Sequence, residues 1–307
     1  MGGLPNEHII TEVTAHVVNG FVAGGEGGNP AGVVIDADGL SEDQMLEVAT
    51  KIGLSETAFV SSSDKAGFKL DFFTPNRRIA HCGHATIAAF SYLAQTGRVS
   101  QGETSKMTVD GLRKIIIKNQ QAFMEQLAPT YQSPDVWGAS GVVLQDVLSS
   151  IGLQTNDLIF GSEPMLVNTG NSFIVIPVKS NTILAGVAPD HDAINQISEK
   201  LDLIGYYLFA MSPDNAETVA TTRMFAPRYA IPEESATGMA AGPLACYLHD
   251  IMDIKASHLK IAQGHFMKPA SPSLITVDLE TAADGKITSL MAGGYGRSVR
   301  EIKIALT

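Results

Sequence analysis

Phe73-Thr74-Pro75-Asn76-Arg77-Arg78-Ile79 leads, eight residues further on, to Ile87-Ala88-Ala89, and the pattern recurs as Phe225-Ala226-Pro227-Arg228-Tyr229-Ala230-Ile231 leading to Met239-Ala240-Ala241. The offset is 152 residues at both ends of the pattern (225 − 73 and 239 − 87). Between the matching parts a turn gives way to an Ala-rich helix, with Cys82 in the first copy and Glu234 at the same point of the second. A duplicated fold with a reactive group at each of two helix starts predicts a catalytic cleft between two related domains.

Length, composition and charge restrict the class of protein. A chain of 307 residues with 45% hydrophobic and 17% charged residues predicts about two folded domains. The net charge of −11, without a Lys/Arg run, argues against a nucleic-acid partner, and no apolar stretch approaches the length of a membrane span. The first ten residues lack the pattern of a secretion signal, and two cysteines, Cys82 and Cys246, fit a reducing cytoplasm.

Both halves of the chain predict the same order of elements: strand, helix, strand, strand, long helix and returning strands. In the first half a capping box at Ser41 opens a helix to about Lys51; in the second half a helix starts at 189–192. The long helices are predicted over 85–94 and 240–248. This order indicates an α+β fold with mostly antiparallel sheet wrapped on a central helix. We expect lobes over 1–127 and 128–297, crossing at the Pro-rich segment 128–134, with a last strand in 298–307 that could join the first lobe.

Glu56 breaks the internal repeat. It stands at the mouth of the apolar strand that starts at Thr57, and when Gly53 is aligned with Gly205 the matching place in the second half is Leu208. A carboxylate entering apolar surroundings is suited to general acid/base catalysis. The alternative is a solvated glutamate at a strand edge.

Cys82, His84 and Glu234 are the other candidate reactive groups. Cys82 stands where a helix dipole favours negative charge, so it could be a base, a nucleophile or an anion-site residue, or simply a small buried side chain. His84 could polarise the substrate or relay protons, or it could cap the turn. Glu234 could act as an acid/base, or it could complement the helix dipole together with Glu233.

The sequence predicts neither a metal nor a nucleotide cofactor. His81, Cys82 and His84 would need further ligands, which no other Cys/His cluster offers. No phosphate loop or dinucleotide-binding motif is present. The N–H groups of Thr237, Gly238 and Met239 at the second helix start would suit a substrate carboxylate.

Four motifs occur in one order along the chain: Gly28-Asn29-Pro30-Ala31-Gly32-Val33, Leu54-Ser55-Glu56-Thr57-Ala58-Phe59-Val60, Phe73-Thr74-Pro75 with Cys82-Gly83-His84-Ala85-Thr86, and Ala236-Thr237-Gly238-Met239-Ala240-Ala241-Gly242-Pro243-Leu244-Ala245. Together they resemble the PhzF (phenazine-biosynthesis-like) family over essentially the whole chain. The resemblance implies a diaminopimelate-epimerase-like fold: two similar lobes, each a barrel-like sheet around a central helix, with the active site in the cleft. It also implies isomerisation by proton transfer without a cofactor, usually in a homodimer.

The resemblance also implies roles for individual residues. The family's catalytic glutamate falls on Glu56, the histidine of its Gly-His motif on His84, and its acidic residue before Ala-Thr-Gly on Glu234, where the phenazine enzyme has Asp. The residue after Ala-Thr-Gly is Ser in that enzyme and Met239 here, so we expect a different substrate pocket. We assign the substrate contacts to Asn29, Cys82, Gly83, Thr237, Gly238 and Met239.

The sequence therefore predicts a cytoplasmic isomerase that moves a proton between carbons of a small carboxylate-bearing metabolite, with Glu56 as acid/base. Two alternatives stay open. One is an amino-acid epimerase or racemase with Cys82 and Glu234 as opposed bases. The other is a metabolite-binding protein that kept the cleft without turnover. The sequence does not define the substrate.

Overall fold

A computed structural model describes residues 10–214 and 216–307. Residues 1–9, most of the segment in which we looked for a secretion signal, lie outside the described residues. Strands β1 to β18 are, in order, Glu12–Gly20, Asn29–Val34, Thr57–Ser61, Phe68–Phe73, Arg78–Ile79, Gly102–Thr108, Gly111–Lys118, Gln121–Leu127, Thr130–Gln132, Met165–Asn168, Ser172–Val178, Gly205–Met211, Ala220–Ala226, Ile231–Glu234, His258–Gln263, Ser273–Thr281, Ile287–Tyr295 and Arg297–Ala305. Helices α1 to α7 are Glu42–Ile52, Gly83–Gln95, Pro134–Trp137, Leu144–Ser149, Asn181–Gly186, His191–Leu201 and Gly238–Asp250.

Strand pairing follows one scheme twice. In the first lobe β1 is antiparallel to β2, β2 parallel to β3, and β3 antiparallel to β4; β4 pairs with β5 and, in parallel, with β6; β6, β7 and β8 follow in antiparallel order. Strands β10 to β17 repeat every one of these pairings in the second lobe. The predicted α+β fold of two similar lobes, each with a mostly antiparallel sheet around a central helix, is confirmed.

The two central helices are α2 and α7. Small apolar residues cover nearly all their sides, so both helices are buried almost all round and share one continuous core with the inner faces of both lobes. Helices α1 and α6 are amphipathic and cover the outer faces with cores of their own. The predicted capping box of α1 is present, with Ser41 and Gln44 bonded reciprocally. Among the described residues no helix has the length and hydropathy needed to span a bilayer.

The lobes exchange strands. β8 pairs with β17 and joins the two sheets, while the last strand, β18, returns to pair with β1 of the first lobe. In the same way β9, within the segment predicted to cross between domains, pairs with β10 of the second lobe. Because hydrogen bonding is continuous across the junction, the domain limits at 127/128 and 297/298 stay a prediction.

The structure corrects the alignment of the two copies at two places. The central helices begin at Gly83 and Gly238, an offset of 155 (238 − 83), so Cys82 corresponds to Thr237 as the residue before the helix and Glu234 lies at the end of β14. The left-handed residues ending α1 and α6 are Gly53 and Asp202. The counterpart of Glu56 is therefore Gly205, not Leu208.

Gly205 has no room for a side chain. A Cβ added there would lie 2.2 Å from the carbonyl oxygen of Phe225 and 2.9 Å from Cβ of Ala226. In the second lobe, the position that corresponds to Glu56 therefore has no space for any side chain. The asymmetry seen in the sequence is real, although it involves a different residue.

An ion pair with one buried member in each lobe fixes the short strand that enters the central helix. In the first lobe Asp71 on β4 pairs with Arg78 on β5. In the second lobe Arg223 on β13 binds Glu233 on β14 with two hydrogen bonds of 2.8 Å. Asp71 and Arg223 are 152 residues apart, so the repeat is kept with its charges exchanged. These pairs hold the backbone on which Glu234 and the turn before α2 are carried.

Candidate active site

A cavity of about 490 Å³ lies where the starts of α2 and α7 face each other. The helix starts are close, since a Cβ on Gly83 would lie 3.2 Å from Cγ of Met239. Eight of the nine residues assigned to the site line this cavity: Glu56, Cys82, Gly83, His84, Glu234, Thr237, Gly238 and Met239.

Three titratable side chains form a line in its wall. The Nε2 atom of His84 is 3.3 Å from Oε2 of Glu56, and the Nδ1 atom is 3.3 Å from Oε1 of Glu234. The imidazole therefore lies between one carboxylate from the start of β3 and another from the end of β14. All three side chains are largely buried, the most exposed being Glu234 at 13%.

The Glu56–His84 contact is incomplete. Despite their 3.3 Å separation, Oε2 of Glu56 and Nε2 of His84 are not aligned for a hydrogen bond, and neither atom has another partner among the described residues. Buried polar atoms in folded proteins are normally paired, and an unpaired one calls for an explanation such as a catalytic role. Two such atoms, a possible proton acceptor and a possible proton donor, adjoin each other at this cavity.

The surroundings of His84 favour its charged form. Burial by itself lowers the pKa of His84, but Cys82 and Glu234 beside Nδ1 outweigh it, so the pKa lies well above the ordinary value of 6.5. At neutral pH the imidazolium then has an N–H on both ring nitrogens. One N–H faces Glu234 and the other faces Glu56.

Glu234 is held as a hydrogen-bond acceptor. Its Oε1 accepts from Nδ2 of Asn29 at 3.0 Å, and its Oε2 accepts from the hydroxyl of Thr237. Asn29 also binds the carbonyl oxygen of Ala236 at 3.1 Å. Asn29, the ninth assigned residue, is not on the cavity lining; it lies behind the wall, where its amide orients Glu234. With its oxygens occupied in this way, Glu234 is suited to orienting His84.

Gln263 fixes the turn between Glu234 and Thr237. Its fully buried amide donates to the carbonyl oxygen of Glu234 at 2.7 Å and accepts from the backbone N–H of Thr237 at 3.1 Å. The hydroxyl of Tyr207 donates to the same amide oxygen at 3.0 Å. The N–H of Thr237, which we expected to hold a substrate, is thus already used, and Gly238 and Met239 carry the N–H groups left at this helix start.

Cys82 lies on the Glu234 side of the imidazole, its Sγ 3.5 Å from Nδ1 of His84. Ligand atoms of Glu56, Cys82 and His84 all lie within 4.8 Å of one another, close enough to hold a metal ion. Cys82 is nearest one ring nitrogen of His84 and Glu56 is nearest the other, so the imidazole lies between the thiol and this carboxylate.

Several residues around the site were missed by sequence reasoning. They are Gln263, Asn171 and Tyr207, none of which the sequence indicated as a site residue. Asn171 lines the cavity, and its Nδ2 is 3.5 Å from Sδ of Met239. No local signal distinguishes these side chains, because their partners lie far away in the sequence.

The fold and the site together define a class: a two-lobed α+β protein of the diaminopimelate-epimerase-like type with an acid–base cluster in its cleft. Comparison with known proteins places the chain within that class. A model of the PhzC-PhzF family, described as phenazine biosynthesis-like protein, matches residues 18–300. The chain belongs to this family.

Named relatives agree with this membership. The uncharacterized isomerase YddE of Escherichia coli K12 is 31% identical over 78% of this chain and 80% of its own length. The trans-2,3-dihydro-3-hydroxyanthranilate isomerase of Pseudomonas chlororaphis is 29% identical over 91% of this chain and 95% of its own length. A PhzF-family crystal structure from Bacillus anthracis, 23% identical, shares the fold with a TM-score of 0.84 over 97% of this chain and all of its own. The prediction of an isomerase is confirmed at the level of the family.

Proposed function

We propose that this protein is a cofactor-independent isomerase that moves a proton between two carbons of a small carboxylate-bearing metabolite. One observation carries the proposal: the unpaired Oε2 of Glu56 and Nε2 of His84, 3.3 Å apart at the cavity wall. A base and an acid side by side in a largely buried site are what removal and return of a carbon-bound proton require.

The step needs only these side chains. The carboxylate of Glu56 takes a proton from one substrate carbon, and the electron pair of the broken C–H bond moves into the adjoining conjugated system. The imidazolium of His84 stabilises the negative charge that develops. The protonated Glu56 then gives the same proton to another carbon, so one C–H bond breaks, one forms, and the enzyme ends as it began.

The substrate carboxylate is assigned to the two helix starts. The first N–H groups of α2 and α7, at Gly83, Gly238 and Met239, have no partner within their helices, and each helix dipole favours an anion there. Both helices are long enough, at 13 residues, to present this charge. The name of the Pseudomonas chlororaphis relative supports a cyclic carboxylate as the kind of substrate.

The geometry favours Glu56 over the epimerase alternative. A two-base epimerase needs bases on opposite faces of the substrate carbon, whereas Cys82 and Glu234 adjoin the same Nδ1 atom of His84. Glu234 is, in addition, occupied by Asn29 and Thr237. We therefore assign Cys82 as a neighbour of the substrate and Glu234 as the residue that orients His84.

The test is exchange in deuterated water. Wild type is incubated with pooled amino acids and cyclic carboxylic acids, and mass gain or isomer formation is measured. Glu56→Gln should fold and lose at least about 100-fold in rate, while the matched variant Cys82→Ser should stay within about 10-fold of wild type. Activity retained in Glu56→Gln and lost in Cys82→Ser would establish the two-base alternative instead. Tight binding of a metabolite without exchange would indicate a binding protein and refute the proposal.

We also propose a cytoplasmic homodimer, as the family resemblance implies. Sedimentation equilibrium of the full chain should give twice the mass of 32.5 kDa. A mass of one chain at micromolar concentration would overturn the dimer without affecting the reaction scheme.

A further inference from the structure

Lys106 on β6 is a buried lysine that the reaction scheme does not use. Its side chain is fully buried, with its ammonium group 5.1 Å from the centre of the Phe72 ring. Its polar contacts among the described residues are Oγ1 of Thr86 at 2.7 Å and Nδ1 of His81 at 3.3 Å, with no carboxylate among them. Lysine is almost never fully buried without a charged partner, so its place needs an explanation.

The hydrogen bonds around Lys106 have a direction. The hydroxyl of Thr86 donates to the carbonyl oxygen of Cys82 at 2.6 Å, so its oxygen accepts from Lys106. Burial lowers the pKa of Lys106 to about 7, so below that pH its amine is an ammonium, which has donors only, and Nδ1 of His81 is therefore the acceptor of a second N–H. Burial, reinforced by Lys106 and Arg113, lowers the pKa of His81 to about 3, which keeps the ring neutral. A neutral ring with an acceptor at Nδ1 carries its proton on Nε2.

His81 stands at the boundary between two cavities. It lines the 490 Å³ cavity and also an adjoining one of about 310 Å³, and Asp110, Asn171 and Met239 likewise line both cavities. The smaller cavity has charged walls, including Arg113 and Glu125. The side chain of His81 is partly exposed, and its Nε2 atom has no hydrogen-bond partner among the described residues.

We propose that Lys106 fixes His81 as a neutral Nε2–H donor, and that His81 recognises a hydrogen-bond acceptor on the part of the substrate that reaches from the catalytic cavity into the smaller one. Lys106 is a positioning residue, acting through His81. The substrate class is a carboxylate with a second oxygen acceptor, such as a hydroxyl, carbonyl or further carboxylate, distant from the reacting carbons. The substrate class rests on the proposed function, whereas the charge and tautomer of His81 do not depend on it.

The state of His81 is measured first, without a substrate. The ¹⁵N-labelled full chain is measured at pH 6 by NMR spectra that correlate the imidazole nitrogens with their protons. These spectra report the charge and tautomer of each histidine. The signal of His81 is identified as the one that is missing in His81→Gln. Wild type should show a neutral ring with the proton on Nε2. Lys106→Gln keeps a donor and should preserve that tautomer, whereas Lys106→Met should lose it. A charged ring, or a proton on Nδ1, in wild type overturns the proposal even if neither variant folds.

Recognition is measured next, on pairs of carboxylates that the enzyme isomerises and that differ only in the second acceptor. His81→Phe keeps an aromatic ring but removes the donor. It should lower kcat/KM for the acceptor-bearing member by about 3- to 10-fold more than for the other member, mainly through KM. Equal losses on both members overturn the recognition role. If no carboxylate is isomerised at all, the proposed function fails, while the tautomer measurement still decides whether Lys106 fixes His81.

Discussion

Replacing Glu234 by Gln tests the electrostatic arrangement around His84. The carboxylate oxygen is 3.3 Å from Nδ1 in a largely buried setting. An opposite charge at such a distance typically moves a pKa by about 1 to 3 pH units, and one unit corresponds to about 1.4 kcal/mol. Glu234→Gln should therefore lower the pKa of His84 by about 1 to 3 pH units, removing about 1.4 to 4 kcal/mol of preference for the imidazolium.

The same substitution should change how the free energy of unfolding depends on pH. Because the folded-state pKa of His84 is raised, its contribution to the free energy of unfolding is fully present below the unfolded value of about 6.5 and is lost as pH rises through the folded value. Wild type should thus lose stability across that window. In Glu234→Gln the folded-state pKa of His84 moves closer to its unfolded-state pKa. The pH range over which stability is lost should therefore narrow, and less stability should be lost.

The assay is a pH titration of the His84 ring nitrogens by NMR, with urea unfolding at several pH values between 6 and 10. Asp110→Asn is the matched control, since it removes a carboxylate from the same cavity lining without touching His84. Its His84 titration should stay close to that of wild type. An unchanged His84 pKa in Glu234→Gln, or an equal shift in Asp110→Asn, would refute the assignment of Glu234 as a group that, together with Cys82, stabilises the imidazolium.

Two further predictions concern the frame of the site. Gly205→Ala should lower the free energy of unfolding by about 1 to 3 kcal/mol in urea melts, because its Cβ would lie 2.2 Å from the Phe225 carbonyl oxygen. The control, Gly186→Ala, has open space at its Cβ and should be neutral or slightly stabilising. Similar losses of stability in the two variants would contradict the argument. Arg223→Met should cost about 3 to 5 kcal/mol because it leaves the Glu233 carboxylate without its partner. The exposed pair of Lys260 with Glu217 supplies the control, since Lys260→Met should cost less than about 1 kcal/mol in the same thermal or urea melts.

Local signals predicted much of the architecture. The capping box at Ser41 and the apolar periodicity of α1 and α6 depend on neighbours three or four residues away, and the structure reproduces them. The paired Phe-x-Pro motifs likewise predicted both central helices. The sequence did not predict β1, β9 or β10, since these strands are defined by partners far along the chain, such as β18 for β1.

In the site, too, the sequence indicated residues with a local signal but not those whose partners lie far along the chain. Glu56 stood out because it interrupts an apolar strand start, and His84 because of its motif. By contrast, Gln263 acts on residues 26 to 29 positions away, and Lys106 on residues 20 and 25 positions away. Pairings of that separation leave no periodic trace in the sequence. The correction of the repeat alignment from Leu208 to Gly205 also required the strand register.

The sequence by itself determined that the chain is a duplicated α+β fold with a cleft and reactive groups near two helix starts. Those conclusions follow from short-range patterns that each half carries independently. The tertiary structure alone decided that His84 lies between Glu56 and Glu234, that Asn29 stands behind the wall, and that one helix-start N–H is already used. The physical reason is that charge states and hydrogen-bond partners depend on distances of 3 to 4 Å, which arise only when segments up to about 200 residues apart are packed together.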